Sequence, residues 1–171
     1  MIKFRTAILA ALLVSSSPFG GAFANDLLAK AEGSWKGKGW FKNGLNAPKE
    51  IARCRYKNSM NASKNSLKIT GKCSTANRTF NASGTITVAD KPGRFSGVWN
   101  NPRGLGIITL AGKQSGGRIN FTFQTKEQTT SKQLPHRSNW SISKSKLKLV
   151  GSVKDPKTGK YSNLSVMEFS R

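Results

Sequence analysis

The fold class of this protein is decided by Thr79–Val88, the stretch TFNASGTITV. Apolar or small residues alternate in it with polar ones. The apolar or small residues are Phe80, Ala82, Gly84, Ile86 and Val88. Side chains of a β-strand point alternately to the two faces of its sheet, so the pattern predicts a strand with one buried and one exposed face. Arg118–Gln124 repeats the pattern.

About ten such strands are predicted, separated by turn sequences such as Lys91-Pro92-Gly93-Arg94. The expected ranges are 34–42, 50–60, 67–75, 79–88, 93–100, 105–112, 118–124, 138–143, 146–153 and 163–170. Asn25 or Asp26 can cap a short helix that ends at Gly33. The longest gap, residues 125–137, is polar and is expected to be a loop, either a lid or a floppy connection.

Ten strands with one apolar face each must hide those faces, either by closing into a barrel or by stacking as a sandwich. Short connections favour antiparallel neighbours. Glycines in mid-strand favour the barrel, because tight curvature uses glycine: Gly37, Gly39, Gly71, Gly84, Gly97 and Gly151. We therefore expect an all-β fold, an antiparallel up-and-down barrel of about ten strands with a short N-terminal helix; a β-sandwich is the alternative.

Residues 1–24 have the three parts of a secretory signal peptide. Lys3 and Arg5 are positive, residues 7–14 are apolar, and Ala22-Phe23-Ala24 fits the cleavage pattern. The apolar run is well below the ~20 residues that a spanning helix needs. The sequence therefore predicts a cleaved signal peptide, a single domain over residues 25–171, and a periplasmic or secreted location.

In an exported protein the two cysteines are expected to be oxidised, because disulfides persist in oxidising compartments. Cys54 and Cys73 are expected to form a disulfide between neighbouring strands. This pairing places Tyr56 opposite Gly71, where glycine leaves room for the ring, and leaves a turn over residues 61–66. Its asparagines and serines suit a turn.

Gly33–Gly39, GSWKGKG, resembles the G-x-W opening of the lipocalin and fatty-acid-binding (calycin) barrels. It is closer still to the G-x-W-x-G-x-G opening of nitrobindin-like haem-binding barrels. The resemblance covers seven residues. It implies that Trp35 lies inside the barrel near a closed end, under the N-terminal helix.

The same resemblance implies a haem-ligating histidine near the C-terminus, and this chain departs from it. The only histidine is His136, which we expect to be an exposed side chain of the 125–137 loop. Haem would need a different ligand geometry and is disfavoured, so no cofactor is expected. One histidine and two cysteines also cannot supply the four ligands of a structural zinc site, so no metal is expected.

The barrel interior is the first candidate binding site. Aromatic side chains on the inward positions are expected to contact a small apolar or amphipathic ligand: Trp35, Tyr56, Phe80, Phe95, Trp99, Phe121, Phe123 and Trp140. Ile86, Ile107 and Leu149 are expected to point inward with them. The alternative is that these side chains simply fill the core, because a barrel of this strand number can enclose a cavity or be solid.

The outer face is the second candidate site. The chain has 29 Lys and Arg against 7 Asp and Glu, a net charge of +22. Cations fall opposite the apolar positions of the first three strands, with a tryptophan among them: Lys36, Lys38, Trp40, Lys42, Arg53, Arg55, Lys68 and Lys72. This patch is expected to attract anionic lipid, lipopolysaccharide or acidic glycan. Nucleic acid is disfavoured by the compartment.

The sequence argues against catalysis. The seven acids are scattered, and no two have the strand spacing of an acid–base pair. Glu168 is expected to point outward, with Met167 and Phe169 inside, because a buried unpaired carboxylate is costly.

We therefore expect an exported, non-catalytic binding barrel with a basic exterior. The alternatives are a solid-core protein that binds polyanions or lipid surfaces, and an inhibitor or assembly factor that binds another periplasmic protein.

Overall fold

The structure is a computed structural model that describes residues 26–101, 106–126 and 133–171. Residues 26–30 form a short helix, α1. Ten strands follow: β1 (Gly33–Phe41), β2 (Glu50–Asn61), β3 (Ser66–Ser74), β4 (Thr79–Val88), β5 (Arg94–Asn101), β6 (Gly106–Ser115), β7 (Arg118–Lys126), β8 (Gln133–Ile142), β9 (Lys146–Lys154) and β10 (Tyr161–Ser170). The predicted signal peptide, residues 1–24, lies outside the described residues.

The ten strands form one closed antiparallel barrel with the order β1-β10-β9-β8-β7-β6-β5-β4-β3-β2. Each strand pairs with its neighbours in sequence, and β1 pairs with β10 to close the ring, with Lys36 opposite Ser170 and Trp40 opposite Val166. The predicted all-β fold, its up-and-down order and its short N-terminal helix are confirmed. The alternative β-sandwich is wrong.

The disulfide and the register of the second hairpin are also confirmed. Cys54 and Cys73 are bonded and lie opposite each other on β2 and β3. Tyr56 then lies opposite Gly71, and a Cβ atom at residue 71 would overlap the tyrosine ring. A short 3-10 helix, Ala62–Lys64, makes the turn between the two strands.

The prediction of a loop over residues 125–137 is wrong at both of its ends. β7 continues to Lys126 and β8 begins at Gln133, so that Gln124 lies opposite Pro135 and Phe123 opposite His136. Residues 127–132 lie outside the described part of the chain. The strand predicted over residues 138–143 therefore begins earlier, at Gln133. Its first half was missed because it contains Pro135 and the buried His136, and neither residue type signals a strand.

One end of the barrel is plugged by α1. Leu27, Leu28 and Ala31 are buried there, and the Trp35 ring beneath them is 1% exposed. The Trp35 Nε1 atom donates to the Ala31 carbonyl at 2.9 Å, and Asn58 Nδ2 donates to the same oxygen at 2.7 Å. Both bonds satisfy a carbonyl at the end of the helix, where intrahelical partners run out.

The β6 strand differs from expectation in which of its two isoleucines faces inward. Ile107 is 74% exposed, whereas Ile108 is 8% exposed and belongs to the core. Two adjacent isoleucines cannot be assigned to faces by alternation alone, and the strand begins at Gly106 with φ +70°. The expectation for β10 is confirmed: Met167 and Phe169 are buried, and Glu168 is exposed.

Candidate binding surfaces

The barrel interior contains a cavity of about 180 Å³. Five of the eight aromatic residues predicted for the interior line it: Tyr56, Phe80, Trp99, Phe123 and Trp140. Complete burial raises the pKa of the Tyr56 hydroxyl, because the ionised form would lose its hydration. The cavity is smaller than the ~300–1,000 Å³ of most ligand pockets, so as it stands it accommodates a small apolar group.

The other three aromatic residues are placed differently from the prediction. Trp35, Phe95 and Phe121 are buried in the core but do not line the cavity. Trp35 packs beneath α1, and Phe121 packs against Trp140 with ring centroids 5.2 Å apart. Alternation predicted the inward position of these three residues, but it carries no information about which level along the barrel axis is hollow.

The cavity adjoins an open mouth of about 710 Å³ at the end opposite α1, and the two share Phe41, Phe80 and Ser165. His136 lies at this mouth, 4% exposed, and is therefore not the exposed loop residue that we expected. Its ring stacks on Phe123 with centroids 4.8 Å apart. Burial lowers the pKa of His136 to about 4, so the imidazole is neutral at physiological pH.

His136 Nε2 lies 2.9 Å from the Thr125 hydroxyl oxygen and is engaged with it. As placed, this nitrogen is occupied by a hydrogen bond rather than directed at a ligand. Within the described ranges, no group of three or more His, Cys, Asp or Glu side chains could hold a metal ion.

The outer surface carries a groove of about 1060 Å³ that crosses β3, β2, β1, β10 and β9. We call it the basic groove, since seven cations line it: Lys36, Lys38, Arg53, Arg55, Lys72, Lys146 and Lys148. Glu168 is the acid among the described lining residues, and its Oε1 atom lies 2.7 Å from Lys148 Nζ. The hydrogen bond and charge of Lys148 hold the pKa of Glu168 below its usual range.

The basic groove differs in part from the predicted cationic patch. Five of its seven cations were predicted, but Lys42 and Lys68 lie outside it. Lys42 lies at the mouth, where its ammonium donates to the Leu45 carbonyl. Lys146 and Lys148 were not assigned to the patch, although they alternate along β9, because only the β1–β10 pairing brings β9 close to β1.

Trp40 shares the outward side of β1 with Lys36 and Lys38, as the sequence predicts. It is partly exposed, and Lys49 Nζ lies 4.4 Å from the centroid of its ring. This is a cation–π contact at the surface. Trp40 therefore presents an aromatic side chain just beyond the edge of the basic groove.

Comparison with known proteins identifies a similar fold but assigns the chain to no family. The sequence matches no protein-family profile and no curated protein. Among solved structures, the chain is similar to the crystal structure of Rv2717c from M. tuberculosis, with a TM-score of 0.60 and 17% sequence identity. The match covers 86% of this chain and 96% of that one. At this identity the likeness establishes the barrel fold alone.

Among the helices of the described ranges, none has both the length and the apolar character required to span a bilayer.

Proposed function

We propose that this protein is an exported, non-catalytic binding protein of the bacterial envelope. Its basic groove docks on anionic lipid, lipopolysaccharide or acidic glycan, and its barrel takes a small apolar or amphipathic ligand through the mouth. The observation that carries the proposal is the basic groove, where, among the described lining residues, seven cations surround the carboxylate of Glu168, which is already paired with Lys148. The GSWKGKG opening and the closed barrel support a relationship with calycin barrels, nitrobindin-like ones above all.

The strand register supports an anionic partner, because it sets like charges directly opposite one another. Lys38 lies opposite Arg53, and Arg55 lies between Lys36 on one side and Lys72 on the other. Opposed positions on neighbouring strands are about 5 Å apart, and like charges at this separation are destabilising. An arrangement that costs stability in the free protein is relieved when an anion binds between the cations.

The disulfide supports export, since disulfides are rare in reducing compartments. In a bacterial envelope the abundant anions are phosphate groups of lipids and lipopolysaccharide and the acids of glycans. Each Lys or Arg near an anionic lipid surface contributes about 1 kcal/mol, so several in one groove give strong but salt-sensitive binding.

Co-sedimentation with anionic vesicles and with lipopolysaccharide over a salt series tests the docking. We expect binding at low salt that weakens steadily as salt rises. The variant Arg53→Gln/Arg55→Gln/Lys72→Gln should lose most of it. The matched control, Arg94→Gln/Lys113→Gln/Lys126→Gln, removes three exposed cations from β5, β6 and β7 on the far side of the barrel and should bind as wild type does. Absence of binding at low salt, or equal losses in both variants, would contradict the proposal.

The cavity supports the second part of the proposal and also limits it. A volume of about 180 Å³ holds roughly six waters at ~30 Å³ each, or one small apolar group. Native mass spectrometry of gently purified protein should detect a small bound molecule, and Trp140→Phe should alter its retention. If the purified protein contains no bound molecule and binds no added apolar probe, the solid-core alternative holds. Docking on anionic surfaces would then be its proposed function.

A further inference from the structure

A row of apolar side chains crosses the outer surface of four adjacent strands. Trp40 on β1 lies opposite Ile51 on β2 and opposite Val166 on β10, and Val166 lies opposite Val150 on β9. We call these four residues the apolar row. Their neighbours in sequence point inward: Ala52 and Met167 are buried, and Leu149 lines the cavity. Ile51 is 69% exposed, and Trp40, Val150 and Val166 are half-buried.

The apolar row borders the basic groove along its whole length. On each strand, the residue two positions nearer the α1 end belongs to the groove. In this next row Lys38 lies opposite Arg53 and Glu168, and Glu168 lies opposite Lys148. Two residues further again, the register places Arg55, Lys36 and Lys146 on the same face. Neighbouring rows are therefore about 7 Å apart, since a strand rises about 3.4 Å per residue. The face changes from apolar to cationic within one row.

We propose that this face binds the surface of an anionic lipid bilayer, with the apolar row at the boundary between headgroups and acyl chains and the basic groove on the lipid phosphates. The inference rests on the proposed function and selects one of its partners. Cations alone suit any polyanion, but apolar side chains on the outer face, Ile51 above all, gain nothing from a polar glycan. An isoleucine, two valines and a tryptophan in one row match the acyl edge, where tryptophan rings are favoured.

The contact is side-on, with the face lying against the bilayer surface, because the apolar row has cations on both sides. The basic groove borders it toward α1, and Lys42 lies toward the mouth. Lys49, which contacts the Trp40 ring, supplies a further cation beside the row.

The contact also orients the barrel. The apolar row lies toward the mouth, because Phe41 and Ser165, each adjacent in sequence to a member of the row, line the mouth. A barrel bound side-on by this row holds its mouth beside the bilayer surface, which shortens the path of an apolar ligand between the membrane and the cavity.

Two variants test the apolar row with the cations left intact. Ile51→Ser removes an exposed side chain, and Trp40→Ser/Ile51→Ser removes two adjacent members of the row, those on β1 and β2. Val98→Ser/Ile107→Ser is the matched control, since Val98 and Ile107 are 48% and 74% exposed and lie on β5 and β6 across the barrel. Thermal unfolding of each variant verifies that the barrel folds.

Affinity is measured for vesicles of phosphatidylglycerol mixed with phosphatidylcholine, for pure phosphatidylcholine vesicles, and for soluble polyphosphate. We expect Ile51→Ser to weaken binding to the anionic vesicles by about tenfold, as burial of one isoleucine predicts, and to leave polyphosphate binding unchanged. The control should match wild type. Lipids brominated near the headgroup should quench the fluorescence of wild type, and the Trp40→Phe variant should lose this quenching.

The outcomes separate the two proposals. If the anionic vesicles and polyphosphate bind, but Ile51→Ser and the double variant bind vesicles as wild type does, the apolar row is not a membrane contact and the partner is another polyanion. If lipopolysaccharide glycan binds and vesicles do not, the same conclusion follows. If nothing anionic binds at low salt, both proposals fall.

Discussion

The guanidinium group of Arg171 lies over the ring of Trp35, with 4.5 Å between its central carbon and the ring centroid. The same group donates to the carbonyls of Glu32 and Lys30 at 2.8 and 2.9 Å, and its Nε atom donates to the Lys144 carbonyl. One side chain therefore links α1, β1 and the β8–β9 turn. Its planar fork makes three bonds that the lysine ammonium cannot reproduce together.

We predict that Arg171→Ala lowers the free energy of unfolding by about 1–3 kcal/mol, through loss of the cation–π contact and of the bonds to helix-end carbonyls. Arg171→Lys should recover little of this loss. Urea denaturation of the three proteins measures the difference. Full stability in the lysine variant would show that charge alone holds the closed end.

Gly71 is predicted to be intolerant of any side chain, because a Cβ atom there meets the Tyr56 ring. Gly71→Ala should destabilise the barrel by about 1–3 kcal/mol through overpacking. In a Tyr56→Leu background the same substitution should cost much less, because the ring is gone. A double-mutant cycle by thermal unfolding gives this coupling, and additive effects would contradict the steric explanation.

The Cys54–Cys73 bond closes a loop with a sequence separation of 19 residues. Its removal in Cys54→Ala/Cys73→Ala should lower the free energy of unfolding by about 3 kcal/mol, the value expected for closure of a loop of this size. Reductant should lower the melting temperature of the wild type and leave that of the double variant unchanged. A melting temperature in the wild type that does not respond to reductant would show that the barrel ladders alone fix this hairpin.

His136 should make stability depend on pH. Its folded pKa, about 4, lies below the ordinary value of 6.5 because burial disfavours the charged ring. The unfolded chain therefore takes up the proton first as pH falls, so stability is lost between about pH 6.5 and 4 and is unaffected at higher pH. Lys42, Asp155 and Lys157 line the same mouth.

The matched variant for this prediction is His136→Gln, which can keep a bond to Thr125 but cannot titrate. Between pH 7 and pH 4 the wild type should lose up to about 2 kcal/mol more stability than the variant, allowing for screening at the open mouth. Equal losses measured by urea denaturation at both pH values would show that other groups dominate acid sensitivity.

Local alternation predicted much of the fold because most partners in the barrel are neighbours in sequence. The register of Cys54 with Cys73, the outward position of Glu168 and the inward face of β7 all follow from patterns within one strand or one hairpin. The same reasoning failed where the pattern was ambiguous, at the paired isoleucines of β6 and at the proline and histidine of β8.

The candidate sites were predicted only in part, because they depend on pairings that no hairpin contains. Lys148 reaches the basic groove, and Val166 reaches Trp40, through the ladder between β1 and β10. Alternation also does not fix the depth of a residue along the barrel axis. Trp35 and Tyr56 were therefore both predicted to contact a ligand, although Trp35 plugs the closed end and Tyr56 lines the cavity.

The β1–β10 ladder has a kinetic consequence. Every other ladder forms between strands adjacent in the chain, whereas this one must bring the first and last strands together at a high entropic cost of loop closure. Before that step, an almost complete sheet has two open edges that could pair with other chains and aggregate. Lys36 and Lys38 lie on one edge, opposite Ser170 and Glu168 on the other. The lysines thus repel a second copy of the same edge while their own partner strand completes the ring.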